Sequence, residues 1–144
     1  MKKAYVIGDS VKKSLSPTIF NYWFKKYNIN AKYYYKQTSP EKFKSEVSLI
    51  LKDKNVCGIN ITIPFKEKIN SLIDGIDKDA HQIGATNYLS KSNNKWIGGN
   101  TDWIGFAQSI NLVLNKHQKN KAVILGYGGA AKAVLYALKK EGFK

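Results

Sequence analysis

Apolar residues take every second position in the stretch GINITIPFKEKI, Gly58 to Ile69. Ile59, Ile61 and Ile63 alternate with Asn60 and Thr62 until Pro64 stops the run. That period predicts a strand with one face in a core and the other lined by hydrogen-bonding side chains. Lys3–Gly8 and the aromatic-rich Ala31–Thr38 predict two further strands. Helical spacing appears instead at Ile19, Phe20, Trp23, Phe24 and Tyr27, with Ser16 as the expected N-cap and Pro17 in the first turn. A second stripe, Phe43, Val47, Ile50 and Leu51, follows Ser39 and Pro40 and predicts another helix. Asn87–Gly99 reads as a hairpin turning at Ser92, Asn93 and Asn94. A helix is expected from about Asp102, then a strand in KAVILG, Lys121–Gly126, and a helix from Ala130 to Gly142.

Strand and helix alternate through most of the chain, which predicts an α/β fold with a mainly parallel sheet covered by helices. Ligands of such sheets gather outside the carboxyl ends of the strands. Attention therefore falls on the segments that follow each strand: residues 8–16, 62–66, Asn87, 100–102 and 126–129.

Composition narrows the function classes. The 144 residues are 43% hydrophobic, enough for a globular core. No apolar run approaches the roughly 20 residues of a membrane span, so no membrane partner is assigned. The opening MKKAYVIGDS has too short an apolar run for a signal peptide, and the single cysteine, Cys57, rules out an internal disulfide. A cytoplasmic location is expected. The net charge is +14, yet every basic side chain is Lys and none is Arg. Arg supplies the commonest specific base contact, and these lysines are scattered, so no nucleic-acid partner is assigned. A lysine-rich surface remains suited to an anionic small molecule.

Four constellations carry chemistry. Asn60 and Thr62 share one strand face that leads to Lys66, whose ammonium can donate a proton. Asp102, in NTDWIG, either caps a helix or holds that ammonium in place. Ser14 and Ser16, two apart before a helix start, can aim two hydroxyls and the first helical amides at a carboxylate, although an ordinary Ser-Pro helix start would look the same. Gly126, Gly128 and Ala131 form G-x-G-x-x-A between a strand and a helix, the setting of a dinucleotide-binding turn.

In chain order, SLSPTIFN, NITIPFK, IGATN, NTDWIG and GYGGAA together resemble the shikimate dehydrogenase family over nearly the whole sequence. The resemblance implies reduction of 3-dehydroshikimate to shikimate with NADPH in aromatic amino-acid precursor synthesis. It implies Lys66 and Asp102 as a catalytic pair and Ser14 and Ser16 on the substrate carboxylate. It places Thr62, Asn87 and Asp102 on the ring hydroxyls, with Asn60 and Lys66 in the same site. Gly126, Tyr127, Gly128, Gly129 and Ala130 are the implied cofactor turn; no metal is implied. The implied organisation is a substrate domain over 1–101, a linking helix over 102–120, and the first strand, turn and helix of a Rossmann domain over 121–144. The residue that reads the ribose is expected about twenty residues past the turn, at or beyond Lys144, so NADP follows from the resemblance and NAD stays open. Lys13, Phe20 and Tyr88 depart from the family's usual His, His and Thr, which leaves quinate open beside shikimate. A chain that binds shikimate without turnover is the other open reading, and no oligomeric state is assigned. A lone strand–helix unit cannot bury both strand faces, so 121–144 is expected to be mobile, to pack non-natively, or to pair with another chain.

Overall fold

The computed structural model of the protein describes residues 1–113 and 121–143. Among the described residues, six strands and five helices, with one 3-10 turn over Lys68–Leu72, follow in the order β1 Lys2–Gly8, α1 Ser16–Lys26, β2 Ala31–Gln37, α2 Phe43–Lys52, β3 Val56–Ile61, β4 Gly75–Ile76, α3 Lys78–Ile83, β5 Tyr88–Ser92, β6 Lys95–Gly99, α4 Asp102–Val113 and α5 Gly129–Lys140. The strands form one sheet in the order β2-β1-β3-β5-β6-β4. It is mixed and mostly parallel: β1 runs parallel to β2 and β3, and β4 to β6, while β5 is antiparallel to both its neighbours. The exception is the β5–β6 hairpin, which turns at Asn93 and Asn94, both with positive φ (50° and 62°), the conformation a tight two-residue hairpin turn requires.

β1 sorts its side chains to two cores. Ile7 joins Phe43, Val47, Val56, Ile59, Ile61, Phe65, Ile69, Leu89 and Trp96 on the α2 side. Ala4 and Val6 pack with Val11 and Tyr33 under Phe20 and Phe24 of α1 on the other. Ile59 and Ile61 are therefore core residues, and Asn60 between them faces the α1 side. Ile63 differs from the alternation: it is 64% exposed, because β3 ends at Ile61 and the chain turns through a cis Ile63–Pro64 bond. Phe65 takes up the core instead, stacked on Phe43 with centroids 4.0 Å apart.

Three boundaries differ from the sequence reading. Ser16 is the first residue of α1 and not its cap; Leu15 holds the cap position, and Ser14 Oγ accepts the Ser16 N–H at 3.3 Å. The second helix starts at Phe43, because Ser39 and Pro40 form a turn whose Ser39 carbonyl accepts from Lys42 and Phe43. Most telling, Lys121–Tyr127 carries no strand, with Val123 and Leu125 89% and 95% exposed. Nothing among the described residues offers this stretch a ladder partner, and an apolar segment without one has no strand to join. The linking helix is described as far as Val113; residues 114–120 lie outside the described residues.

α5 nevertheless seats on the sheet's helical cover. Ala133 packs with Ile83 and Ala85, and Tyr136 meets Trp103 edge-on at 5.4 Å. Lys132 pairs with Glu67 at 2.6 Å, and Asp79 of α3 accepts from Tyr136 Oη at 2.5 Å and Lys140 Nζ at 3.3 Å. At the helix start, a Cβ on Gly129 would lie 3.1 Å from Lys66 Cβ and 3.2 Å from Ala85 Cβ. The missing side chain gives α5 room for this approach; a Cβ there would press its neighbours back by a few tenths of an ångström.

Two expectations follow from this docking. Gly129→Leu, whose longer side chain has no room against Lys66 and Ala85, should cost about 1–3 kcal/mol in urea unfolding; an unchanged midpoint would show that α5 does not rest on Lys66. The Tyr136 hydroxyl, followed by Lys140, holds the Asp79 carboxyl below its ordinary range. A depressed folded value means the contact stabilises α5 at neutral pH and is lost as pH falls below about 3.8 and through the folded value. Amide exchange of α5 should accelerate over that window, and Asp79→Asn should remove that pH dependence; an identical profile in the variant would contradict the assignment.

Candidate active site

The carboxyl ends of β1 and β3 open into a cleft of about 410 Å³ on the α1 side of the sheet. Its lining includes Ser14, Ser16, Asn60, Thr62, Lys66, Asn87 and Asp102, with Val6, Val11 and Phe20 as apolar floor. All seven substrate-site residues read from the sequence thus share one cavity, drawn from separate segments of the chain.

Each arrives by a local rule. The Thr62 N–H donates to Ile7 O at 2.9 Å and Phe65 N to Thr62 O at 3.0 Å, so the chain turns sharply after β3. With Phe65 buried, Lys66 is turned the other way, into the cleft. Gly8 belongs to the same turn, since a Cβ there would collide with Thr62 Cγ2 at 2.5 Å and Val11 Cγ1 at 2.7 Å. Ser14 and Ser16 flank exposed Leu15 and point back over the ends of the strands from the first turn of α1.

The polar centre is a locked set of hydrogen bonds. Lys66 Nζ lies 2.6 Å from Asp102 Oδ2, with the lysine side chain 13% exposed and the aspartate 33%. Asn87 Nδ2 donates to the other oxygen, Asp102 Oδ1, at 2.8 Å, and to Thr101 Oγ1 at 3.0 Å. In return the Thr101 N–H donates to Asn87 Oδ1 at 2.9 Å. Asp102 is the first residue of α4 and does not use its carboxylate as a cap. Asn100 steadies the entry to α4: its Oδ1 accepts the Asp102 N–H at 2.9 Å while its buried Nδ2 donates to Ala85 O at 2.8 Å. The Thr86 N–H closes the loop on Lys66 O at 2.7 Å. The segments IGATN and NTDWIG are therefore two halves of one clasp around Lys66. A general acid held against a carboxylate in a partly desolvated cleft is equipped to give a proton to, and take one from, a bound oxygen.

Of the family departures, Phe20 lines the cleft and stacks on Tyr33 with centroids 4.6 Å apart. Lys13 is exposed, and Tyr88 lies against Gly99 and Asp77 and not in the cleft. Sequence reading missed Asn100, Thr101 and Tyr33. Asn100, in an Asn-Thr-Asp run before a helix, carried a legible signal for a side-chain–backbone turn; Tyr33, one of three consecutive tyrosines, carried none.

The glycine turn meets the cleft at Lys66. Gly126 has φ +117°, Gly128 caps α5 without a side-chain bond, and a Cβ on either would meet open space. Tyr127 is exposed with Lys132 Nζ 5.3 Å from its ring centroid, and Gly129 and Ala130 begin the helix. Uncapped amides and room beside them suit a bound diphosphate.

A family profile described as shikimate dehydrogenase substrate binding domain matches residues 6–89. The shikimate dehydrogenase (NADP(+)) of Caldicellulosiruptor saccharolyticus is 41% identical over 145 residues, covering 100% of this chain and 52% of that protein. The crystal structure of shikimate dehydrogenase from Aquifex aeolicus superposes with a TM-score of 0.88 at 40% identity, covering 100% of this chain and 54% of that one. Shikimate 5-dehydrogenase from Thermus thermophilus, in complex with NADP(H) and shikimate, gives a TM-score of 0.85 at 28% identity over 99% of this chain and 54% of that one. The chain spans about half the length of the curated relatives it matches. With four of its five motifs contributing to one cleft and its substrate-domain profile matched, the chain belongs to the shikimate dehydrogenase family.

Proposed function

We propose that this chain forms the substrate-binding and proton-handling half of an NADP-dependent shikimate dehydrogenase, which reduces 3-dehydroshikimate to shikimate. The observation that carries the reading is the 2.6 Å Lys66–Asp102 pair inside a cleft that also holds Ser14, Ser16, Asn60, Thr62 and Asn87. Ser14, Ser16 and the N-terminal turn of α1 take the carboxylate. Thr62, Asn87 and Asp102 take ring hydroxyls, with Asn60 on the same wall.

Lys66 faces the reacting oxygen. As hydride reaches the carbonyl carbon, negative charge grows on that oxygen, and the ammonium both stabilises it and delivers the proton. In the reverse direction the neutral amine accepts the proton. Asp102 fixes Nζ, and Asn87 fixes Asp102 by holding its second oxygen. The backbone amides of Gly126, Tyr127, Gly128, Gly129 and Ala130 would hold the cofactor diphosphate; NADP supplies the hydride when bound. The free, exposed thiol of Cys57 fits a cytoplasmic setting.

Titration of the chain with shikimate in a calorimeter tests the reading. Saturable binding at a single site is expected, and its absence would contradict the proposal. In a chain of the relatives' full length, Lys66→Ala should lower kcat by about a hundredfold or more while largely sparing shikimate binding. Near-normal kcat in that variant would remove Lys66 from the proton transfer.

A further inference from the structure

The cleft contains two carboxamides, and their hydrogen-bonding capacity is committed in opposite ways. Asn87 is occupied internally: its Nδ2 donates to Thr101 and Asp102, and its Oδ1 accepts from Thr101. Asn60 has one partner. Its Oδ1 accepts from Tyr33 Oη at 2.7 Å, and no group among the described residues accepts from its Nδ2. A carboxamide with its oxygen capped must turn its N–H groups the other way.

Tyr33 is built to make that choice. It stands on β2, two strands from Asn60, and pairs in register with Ala4 of β1, a residue small enough to let the ring cross above it. The side chain is 3% exposed and stacks on Phe20 at an interplanar angle of 9°. Its backbone is gripped from α1 by Asn21, which accepts from Tyr33 N at 2.8 Å and donates to Tyr33 O at 2.9 Å. Burial pushes the phenol well above its ordinary range, so it stays protonated. The phenol thereby ties β2 to Asn60 on β3 across β1.

We infer that Tyr33 is a positioning residue: it locks the Asn60 carboxamide with Nδ2 turned into the cleft, making Asn60 the neutral donor that remains uncommitted for an oxygen of the bound hydroxy acid. This rests on the shikimate reading of the cleft. It also distinguishes the two amides: Asn87 orients the Asp102 carboxylate beside its own ring-hydroxyl contact, while Asn60 brings N–H groups that no protein acceptor among the described residues takes up.

The test combines shikimate calorimetry with NMR of the side-chain amides on the chain and its Tyr33→Phe, Asn60→Ala and double variants. Phe keeps the ring and its stacking and removes only the hydroxyl. Without ligand, Tyr33→Phe should shift the Asn60 Nδ2 resonances. Each single variant should weaken shikimate binding about tenfold, and the double variant no further than the weaker-binding single. Additive losses, unchanged affinity, or unmoved Asn60 resonances would overturn the assignment. Should Tyr33→Phe fail to fold, Asn60→Asp serves: it keeps an acceptor for Tyr33 but has no N–H, so it should bind at least as poorly as Asn60→Ala, and retained affinity would overturn the inference. If the unaltered chain fails to bind shikimate, the reading of the cleft falls, and the role of Asn60 toward the ligand with it. The ligand-free resonances still decide separately whether Tyr33 holds the amide.

Discussion

The contact between Lys66 and Asp102 organises the structure around it. An ammonium only 13% exposed needs a counter-charge and fixed hydrogen-bond partners, or its desolvation goes uncompensated. The two residues lie 36 positions apart and leave different parts of the sheet, one following β3 and the other opening α4. Bringing them to 2.6 Å requires the Asn87–Thr101 exchange, the Asn100 bridge from Ala85 to α4, and the Thr86 bond to the lysine carbonyl. The loops that carry these groups are short and run between buried strands, so their freedom is already limited. Fold and chemistry meet in the same few hydrogen bonds.

The cleft is asymmetric in a way that matters for chemistry. It combines the charged clasp of Lys66, Asp102 and Asn87 with the neutral groups of Ser14, Ser16 and Asn60, the last backed by the Tyr33 phenol. An anionic hydroxy acid can then bind with its carboxylate at the serines, near the positive end of α1, and its reacting oxygen at the lysine. α5 adds a third element, because Gly129 rests against the Lys66 stem. The glycine-rich segment thus lies beside the Lys66 side chain, which sets the proposed cofactor turn next to the proposed proton donor.

Much of this was legible in the sequence, for identifiable reasons. Period-two alternation in β3 located both the core isoleucines, Ile59 and Ile61, and the polar face that lines the cleft, because side-chain direction in a strand is set by parity. The same rule failed at Ile63, where the strand had already ended. The parallel-sheet rule pointed to the strand ends, and the motif series gathered the seven cleft residues before any geometry was known. The helix starts at Ser16 and Phe43 were misplaced by a few residues, as local capping signals permit. The strand expected at Lys121–Gly126 was beyond local reasoning: its residues have the composition of a strand, but a strand exists only through its neighbours. Tyr33 was illegible for a related reason, since its importance lies in crossing β1 to reach Asn60.

The central claim is that one cleft at the carboxyl ends of β1 and β3 receives the substrate. Amide and side-chain chemical-shift mapping with added shikimate tests it most directly. The account predicts shifts concentrated on Ser14, Ser16, Asn60, Thr62, Lys66, Asn87 and Asp102, saturating together. Shifts confined to the opposite end of the sheet, around Lys2, Cys57 and Trp96, would contradict it.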